Sequence, residues 1–495
     1  MNHRLAGFPR SLTPRQAPAR LLAAGLVGLA AASSASAAAA SDYPEVSIAG
    51  HELSLTFEPE SGLHLLLRST YHVQVSAQAE DAFDAYQVRD LFHYSGVSFL
   101  VAPHLAGRFE SLETGPNYMS SFVGHLLREG HQVWGFDNRG TQLTAEDCAD
   151  PAVQALVGTW GLEALVHDAT LVRDLMDVSW LFPPGKVVLG GQSLGAITSL
   201  MTVNAHPGRY DGLFLNEGTI FSQQPAVAGD NQDLDDDGLE DNPGLADLNA
   251  GFLQSVMIPA LGTCDLTTET LMKEVVPLAF SPAGLVIPRP ELDLDDDPFN
   301  DGGEPLLDAI DAAFIAARGT PMNLREFVVF AFSVPGPNPS APGIPGYTLL
   351  ASDIVDLGGV PIGDLTSLGD LADPSKYVLV EADVDRVVAD ALAFGNLASR
   401  GLLVELQATL GNLGVNPLTD VNHVAGAGAF SGHALFVAAE LGFGSSVADT
   451  AALFTGAASN TLLEFTGHGH ADIRFSLDYV GDLIAPLLQL AEDVK

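Results

Sequence analysis

Apolar and polar residues alternate along Glu52–Phe57 and again along Tyr71–Val75, the period-two pattern of half-buried strands. Val97–Val101 is a continuous apolar run, which predicts a strand buried on both faces. Residues 120–129 read as a helix stopped by Gly130, and Gln132–Phe136 as the next strand. Leu162–Ser179 has helical periodicity. Lys186–Gly190 and Gly212–Asn216 are further apolar strand candidates, with a helical run from Ala196 between them. Strands alternating with helices at this spacing predict an α/β fold, a doubly wound and mostly parallel sheet. The sheet is expected to resume at Tyr377–Glu381 and at Thr461–Phe465, with a terminal helix over residues 476–491 packed on it.

The pattern breaks between Glu217 and Pro374. This span holds acidic runs, a Pro/Gly-rich stretch from Val334 and scattered helical segments. It reads as a large inserted cap over the strand ends, where loops border ligands in such sheets. The expected organisation is a leader over 1–37, a first core part over 38–216, the cap over 217–374 and a second core part over 375–495. The leader has Arg4, Arg10, Arg15 and Arg20 ahead of an apolar run, Leu21–Ala32, that is too short to span a bilayer. Ala35-Ser36-Ala37 fits an A-x-A cleavage site. Together these predict a signal peptide and a secreted protein, extracellular or periplasmic, with no integral membrane segment in the mature chain.

The chemistry concentrates at Gly191-Gln192-Ser193-Leu194-Gly195, between the Lys186–Gly190 strand and the helix that follows. A sharp turn there strains the serine backbone, and flanking glycines remove the side chains that would clash beside it. The helix N-terminus behind the serine favours negative charge. Ser193 is therefore the candidate nucleophile. Two histidines, His468 and His470, follow the Thr461–Phe465 strand, and either ring has an unperturbed pKa suited to taking a proton near neutral pH.

Composition narrows the partners. The 495 residues carry 21 Lys+Arg against 62 Asp+Glu, a net charge of −41. Phosphate-rich nucleic acid and anionic lipid would be repelled. Two cysteines, Cys148 and Cys264, are compatible with one disulfide in an oxidising compartment or with two buried thiols. In the acidic runs, Asp233, Asp235, Asp237 and Asp241 place alternate carboxylates around Gly238. That spacing suits structural Ca²⁺ and resembles the calcium loops of dockerins and thrombospondin type-3 repeats. Asp293, Asp295, Asp297, Asp301 and Glu304 keep the alternation but put Pro298 where the turn glycine belongs.

Taken together, the strand–turn–helix around Ser193 and the order of the polar clusters after it make the chain resemble the α/β-hydrolase fold family, particularly cap-bearing lipases and esterases. The resemblance covers about 97–216 and 377–490. It implies a carboxylic ester hydrolase working through an acyl-enzyme, on a small-molecule or lipid ester, with no cofactor for catalysis. It also implies the order nucleophile, acid, histidine. Asp385 is the expected acid, past the Tyr377–Glu381 strand, with Asp383 as its neighbour and Glu217 as the alternative after the preceding strand. His470 is the expected base from the family's G-x-G-H pattern, with His423 and His433 as alternatives because the Asp385–His470 gap is long. The oxyanion donors implied are the N–H groups of Leu194 and Leu105. Asp137 and Arg139 are read as structural. An amidase or peptidase on the same fold, and a non-enzymatic calcium-stabilised protein, are the competing readings.

Overall fold

The computed structural model describes residues 46–58, 64–105, 107–179, 184–220, 271–288, 319–333, 348–352, 379–395 and 421–495, with a few single positions between them. The leader, both acidic runs and Cys264 lie outside the described residues. Cys148 is disulfide-bonded.

One mixed sheet carries the molecule. Its strands in chain order are β1 (Ser47–Glu58), β2 (His64–Gln74), β3 (Ala82–Asp90), β4 (Val97–Ala102), β5 (Gln132–Phe136), β6 (Lys186–Gln192), β7 (Gly212–Asn216), β8 (His433–Ala439) and β9 (Ser459–Phe465). Their spatial order is β1-β2-β3-β5-β4-β6-β7-β8-β9. The first three strands are antiparallel, and β3 joins β5 antiparallel. From β5 to β9 every pairing is parallel.

Side chains of the central strands alternate between two cores, as the two-residue period requires. Leu100, Trp134, Leu189, Leu215 and Phe436 face one core, with helices α2 (Leu162–Val178) and α3 (Leu194–Ala205) over it. Phe99, Val133, Val188, Phe214 and Val437 face the other. That second core is covered by α1 (Phe122–Arg128) and the C-terminal helix α7 (Ala485–Val494). Ser121 caps α1 by accepting the Gly124 N–H, and Gly130 at φ 78° ends the turn after it. Helices on both faces of a mostly parallel sheet, with a Gly-flanked serine turn after a central strand, make this an α/β fold of the α/β-hydrolase type.

A third core lies apart from the sheet. It joins Val276, Phe327, Val329, Leu379, Val387 and Ala391. Its helices include α4 (Leu324–Ser333) and α5 (Val384–Leu392). This corrects one expectation. Tyr377–Glu381 does not resume the sheet over its described part: Leu379 makes only an isolated antiparallel bridge to Ser352. The strand that follows β7 in the sheet is β8, paired to β7 from His433 against Gly212. Helix α6 (Ser445–Ala452) then connects β8 to β9. Helix α5 therefore packs with residues 271–280 and 472–475, not on the sheet.

Candidate active site

Two residues of the described chain other than glycine have positive φ: Ser193 at 54° and Glu217 at 52°. They occupy equivalent places. Gln192 and Asn216 are register partners on β6 and β7, and each strained residue comes next in its strand. The Ser193 N–H donates to Asn216 O at 3.0 Å, and the Glu217 N–H to Val437 O at 2.9 Å. Neighbouring parallel strands thus end in the same unfavourable turn, and the sheet's own hydrogen bonds hold both. Strain of about 1–3 kcal/mol per residue is tolerated where surrounding structure over-determines the conformation.

The glycines around Ser193 permit this. A Cβ on Gly195 would sit 2.3 Å from Ala102 O, and one on Gly191 would sit 2.7 Å from the same atom. The end of β4 is consequently pressed against the serine turn. Helix α3 starts at Leu194 with no side-chain cap, leaving its first N–H groups to whatever lies at Ser193.

His470 reaches the serine from the loop after β9. Its Nε2 is 2.8 Å from Ser193 Oγ, and its Nδ1 is 3.1 Å from Glu217 Oε2. The ring is fixed from several sides. The His470 backbone N–H donates to Thr348 O at 2.7 Å, its backbone carbonyl accepts from Gln192 Nε2 at 3.3 Å, and Phe443 meets the ring edge-on at 4.6 Å. Glu217 is fully buried. Its Oε1 accepts the Ala439 N–H at 2.5 Å, and its Oε2 accepts the Phe443 N–H at 2.8 Å. With Nδ1–H directed at Glu217, the Nε2 lone pair faces the serine hydroxyl, an assignment that follows from the hydrogen-bond network.

The structure thus brings Ser193 and His470 together and puts Glu217, not Asp385, behind the imidazole. Asp385 is exposed in the first turn of α5, where its N–H donates to the capping Asp383 side chain. Its helix packs in the third core through Val387 and Ala391, because the segment before it is not part of the sheet. The other histidines are engaged elsewhere. His433 Nδ1 is 2.9 Å from Ser459 Oγ, His423 Nε2 is 3.7 Å from Glu163, and His468 Nε2 is 3.8 Å from Glu381.

Of the two expected oxyanion donors, Leu194 begins α3 beside Ser193. Leu105 lies on the loop after β4, packed against the sheet core, and its carbonyl accepts from His104 Nδ1 at 2.9 Å. Pro103 has no N–H, so His104 and Leu105 carry the first amide donors of that loop. Asn138 steadies the loop by donating to His104 O at 3.0 Å. Asp137 and Arg139 follow β5, each held in its own buried contacts. Asp137 accepts the Phe109 N–H at 2.7 Å and the Tyr86 hydroxyl at 2.9 Å, and burial pushes its carboxyl up to about 7. Arg139 Nε donates to Asp168 Oδ2 at 2.8 Å, and its Nη1 to Asp81 at 2.9 Å.

Asp472 shapes the histidine loop. Its Oδ2 accepts the N–H groups of Gly469 at 2.5 Å and Ala351 at 2.7 Å, while its Oδ1 is buried without a partner among the described residues. Burial raises its carboxyl to about 6, against the pull of those two N–H groups. Beside the serine turn, Gly191 and Gln192 open on a cavity of about 50 Å³ with Phe109, Phe122 and Phe214 in its wall. His104, Asp390 and Arg474 form its polar side. Burial and the nearby Arg474 hold the His104 imidazole below its usual range, outweighing Asp390.

Sequence reasoning gave Glu217 second place. Its one visible signal is a glutamate directly after a buried strand; the left-handed backbone that turns it toward His470 leaves no mark in composition.

No family model matches this chain, and no curated protein does. Among solved structures, it is similar to a putative lipase from Sulfolobus solfataricus, at 13% identity over 90% of this chain and 99% of that one, TM-score 0.49. It is also similar to a thermophilic esterase from Thermogutta terrifontis, at 11% identity over 85% and 98%, TM-score 0.36. A third likeness is a bromoperoxidase from Bacillus anthracis, at 12% identity over 83% and 96%, TM-score 0.35.

Proposed function

We propose that this chain is a serine hydrolase of the α/β-hydrolase fold that cleaves carboxylic esters through an acyl-enzyme. The observation that carries the reading is the Ser193 Oγ–His470 Nε2–Glu217 relay, at 2.8 Å and 3.1 Å, on a strained serine at the mouth of the sheet. Its order along the chain is nucleophile, acid, histidine.

In this mechanism Ser193 Oγ attacks the ester carbonyl carbon while His470 Nε2 takes the hydroxyl proton. Glu217 keeps the proton on Nδ1 and stabilises the imidazolium. The tetrahedral oxyanion is held by the Leu194 N–H and a donor from the 104–105 loop. Loss of one such donor costs about 10²–10³ in rate. His470 then protonates the departing alcohol. Water, deprotonated by the same ring, attacks the acyl-enzyme and frees the acid and Ser193.

Secretion and structural Ca²⁺ belong to the same proposal. The basic and apolar leader supports export. The carboxylates at 233–241 and 293–304 support cation binding in the inserted segment. The overall negative charge supports a small-molecule or lipid ester over any polyanion as partner.

A fluorophosphonate probe tests the reading, paired with hydrolysis of a panel of esters and peptides. Wild type is expected to label and to turn over esters, and Ser193→Ala to do neither while its circular dichroism is unchanged. A folded Ser193→Ala with near-normal ester turnover would remove Ser193 as nucleophile. Cleavage confined to peptides would move the reading to an amidase.

A further inference from the structure

At the end of the sheet opposite to Ser193, two histidines meet one carboxylate. His64 opens β2, Asp90 closes β3, and His93 lies in the loop that follows. His64 Nδ1 is 2.6 Å from Asp90 Oδ2, and His93 Nδ1 is 2.7 Å from the same oxygen. The three donor atoms all lie within 4.8 Å of one another. We propose that His64, Asp90 and His93 bind a divalent transition-metal ion of the Zn²⁺ class, fastening the start of β2 to the loop after β3.

The donor set is the first argument. Two imidazole nitrogens and a carboxylate suit Zn²⁺, whereas an all-oxygen shell suits Ca²⁺. The convergence is the second. Nitrogens from two separate segments aim at one oxygen, and a cation placed among them would face three lone pairs once each imidazole proton moves from Nδ1 to Nε2. That exchange of tautomers leaves the proton count unchanged. The support behind Asp90 is the third. Its other oxygen, Oδ1, accepts the Phe92 N–H at 2.9 Å and the Leu65 N–H at 3.4 Å, so the carboxylate is fixed with Oδ2 turned to the histidines. Outer contacts of this kind orient metal ligands.

The two histidine–carboxylate separations need only a small adjustment. Zinc bonds of about 2.0–2.2 Å in a tetrahedron separate neighbouring donors by about 3.3 Å. The rings must therefore draw back by about 0.6 Å from their present contacts. His93 has room to do so, because its side chain is 53% exposed, and that open side admits the water completing the shell. Asp90 and His64 are buried, which keeps the other two ligands in place.

The test uses the full mature chain with Ca²⁺ held in excess, so that the acidic runs are occupied. Zn²⁺ alone is titrated calorimetrically into wild type, His93→Gln and His64→Gln, and melting temperature is read with and without Zn²⁺. Wild type is expected to bind one more zinc than either variant, or to bind it at least about tenfold more tightly. Its melting temperature should rise with Zn²⁺ more than theirs. Co²⁺ in place of Zn²⁺ should give visible absorption that His93→Gln lacks. Equal zinc stoichiometry and affinity in wild type and both variants overturns the proposal, as does no binding by wild type; the cluster is then a hydrogen-bonded trio only.

Discussion

Glu217 Oε2 lies 3.1 Å from His470 Nδ1, although 253 residues separate the two in the chain. The sheet makes this contact. Glu217 follows β7, β8 lies beside β7, and β9 beside β8, so the loop bearing His470 returns over the end of β7. Ser193 follows β6 on the other flank, and the imidazole spans the gap between them.

Neutralising Glu217 therefore removes what holds the imidazole tautomer. Glu217→Gln is expected to lower kcat on an ester substrate by about 10³–10⁴, the scale seen when the carboxylate of such a relay becomes an amide. Asp385→Asn, on the exposed turn of α5, should stay within about twofold of wild type. Steady-state kinetics on both variants, with circular dichroism to show folding, checks the assignment. Equal losses in the two would contradict it.

Asp472 gives stability a distinct pH dependence. Burial disfavours the charge and raises its carboxyl from the ordinary aspartate range to about 6. The folded state therefore holds this proton more firmly than the unfolded chain. Its contribution is fully present below the unfolded value and is lost as pH rises through about 6. Asp472→Asn keeps an oxygen for the Gly469 and Ala351 N–H groups and places a donor where Oδ1 has no partner. Relative to wild type, the variant should gain up to about 3 kcal/mol between pH 4 and pH 7. Urea melts across that range measure the difference, and a constant difference would contradict the account.

Gly195→Ala tests how tightly β4 presses on the serine turn. The added Cβ meets Ala102 O at 2.3 Å, a backbone atom that cannot swing aside. A cost of about 1–3 kcal/mol is expected from overpacking. The displaced 103–105 loop should slow fluorophosphonate labelling more than it lowers the melting temperature would suggest. Denaturation and labelling rate on one preparation separate the two effects, and wild-type labelling would show the turn to be loose.

Calcium should stabilise the chain through the 233–241 run. Adding Ca²⁺ to calcium-depleted protein is expected to raise the melting temperature. The double variant Asp235→Asn/Asp237→Asn should lose most of that rise, since alternate carboxylates carry the site. Scanning calorimetry at several Ca²⁺ concentrations reads this directly. Identical curves for the two proteins would assign the acidity of that run to solvation alone.

Local order determined much of what the sequence disclosed. The strands at Val97–Val101, Gln132–Phe136 and Gly212–Asn216 are apolar runs buried on both faces, and burial of that kind leaves its mark residue by residue. Ser193 was equally legible, because a strained strand–helix turn demands glycine beside it. What tertiary structure decided was partnership. Tyr377–Glu381 has the better strand composition, yet His433–Ala439, with alanine at 434, 438 and 439, pairs with β7. A strand's place is set by which edge its N–H and C=O groups reach, and no local pattern encodes that. The acid followed from the same choice. Asp385 follows a segment that joins no strand of the sheet, while Glu217 gains its role from a left-handed backbone at the end of β7 and from the amides of Ala439 and Phe443 at the end of β8. Hydrophobic periodicity is written along the chain one residue at a time; a hydrogen bond across 253 residues exists only once the sheet is assembled.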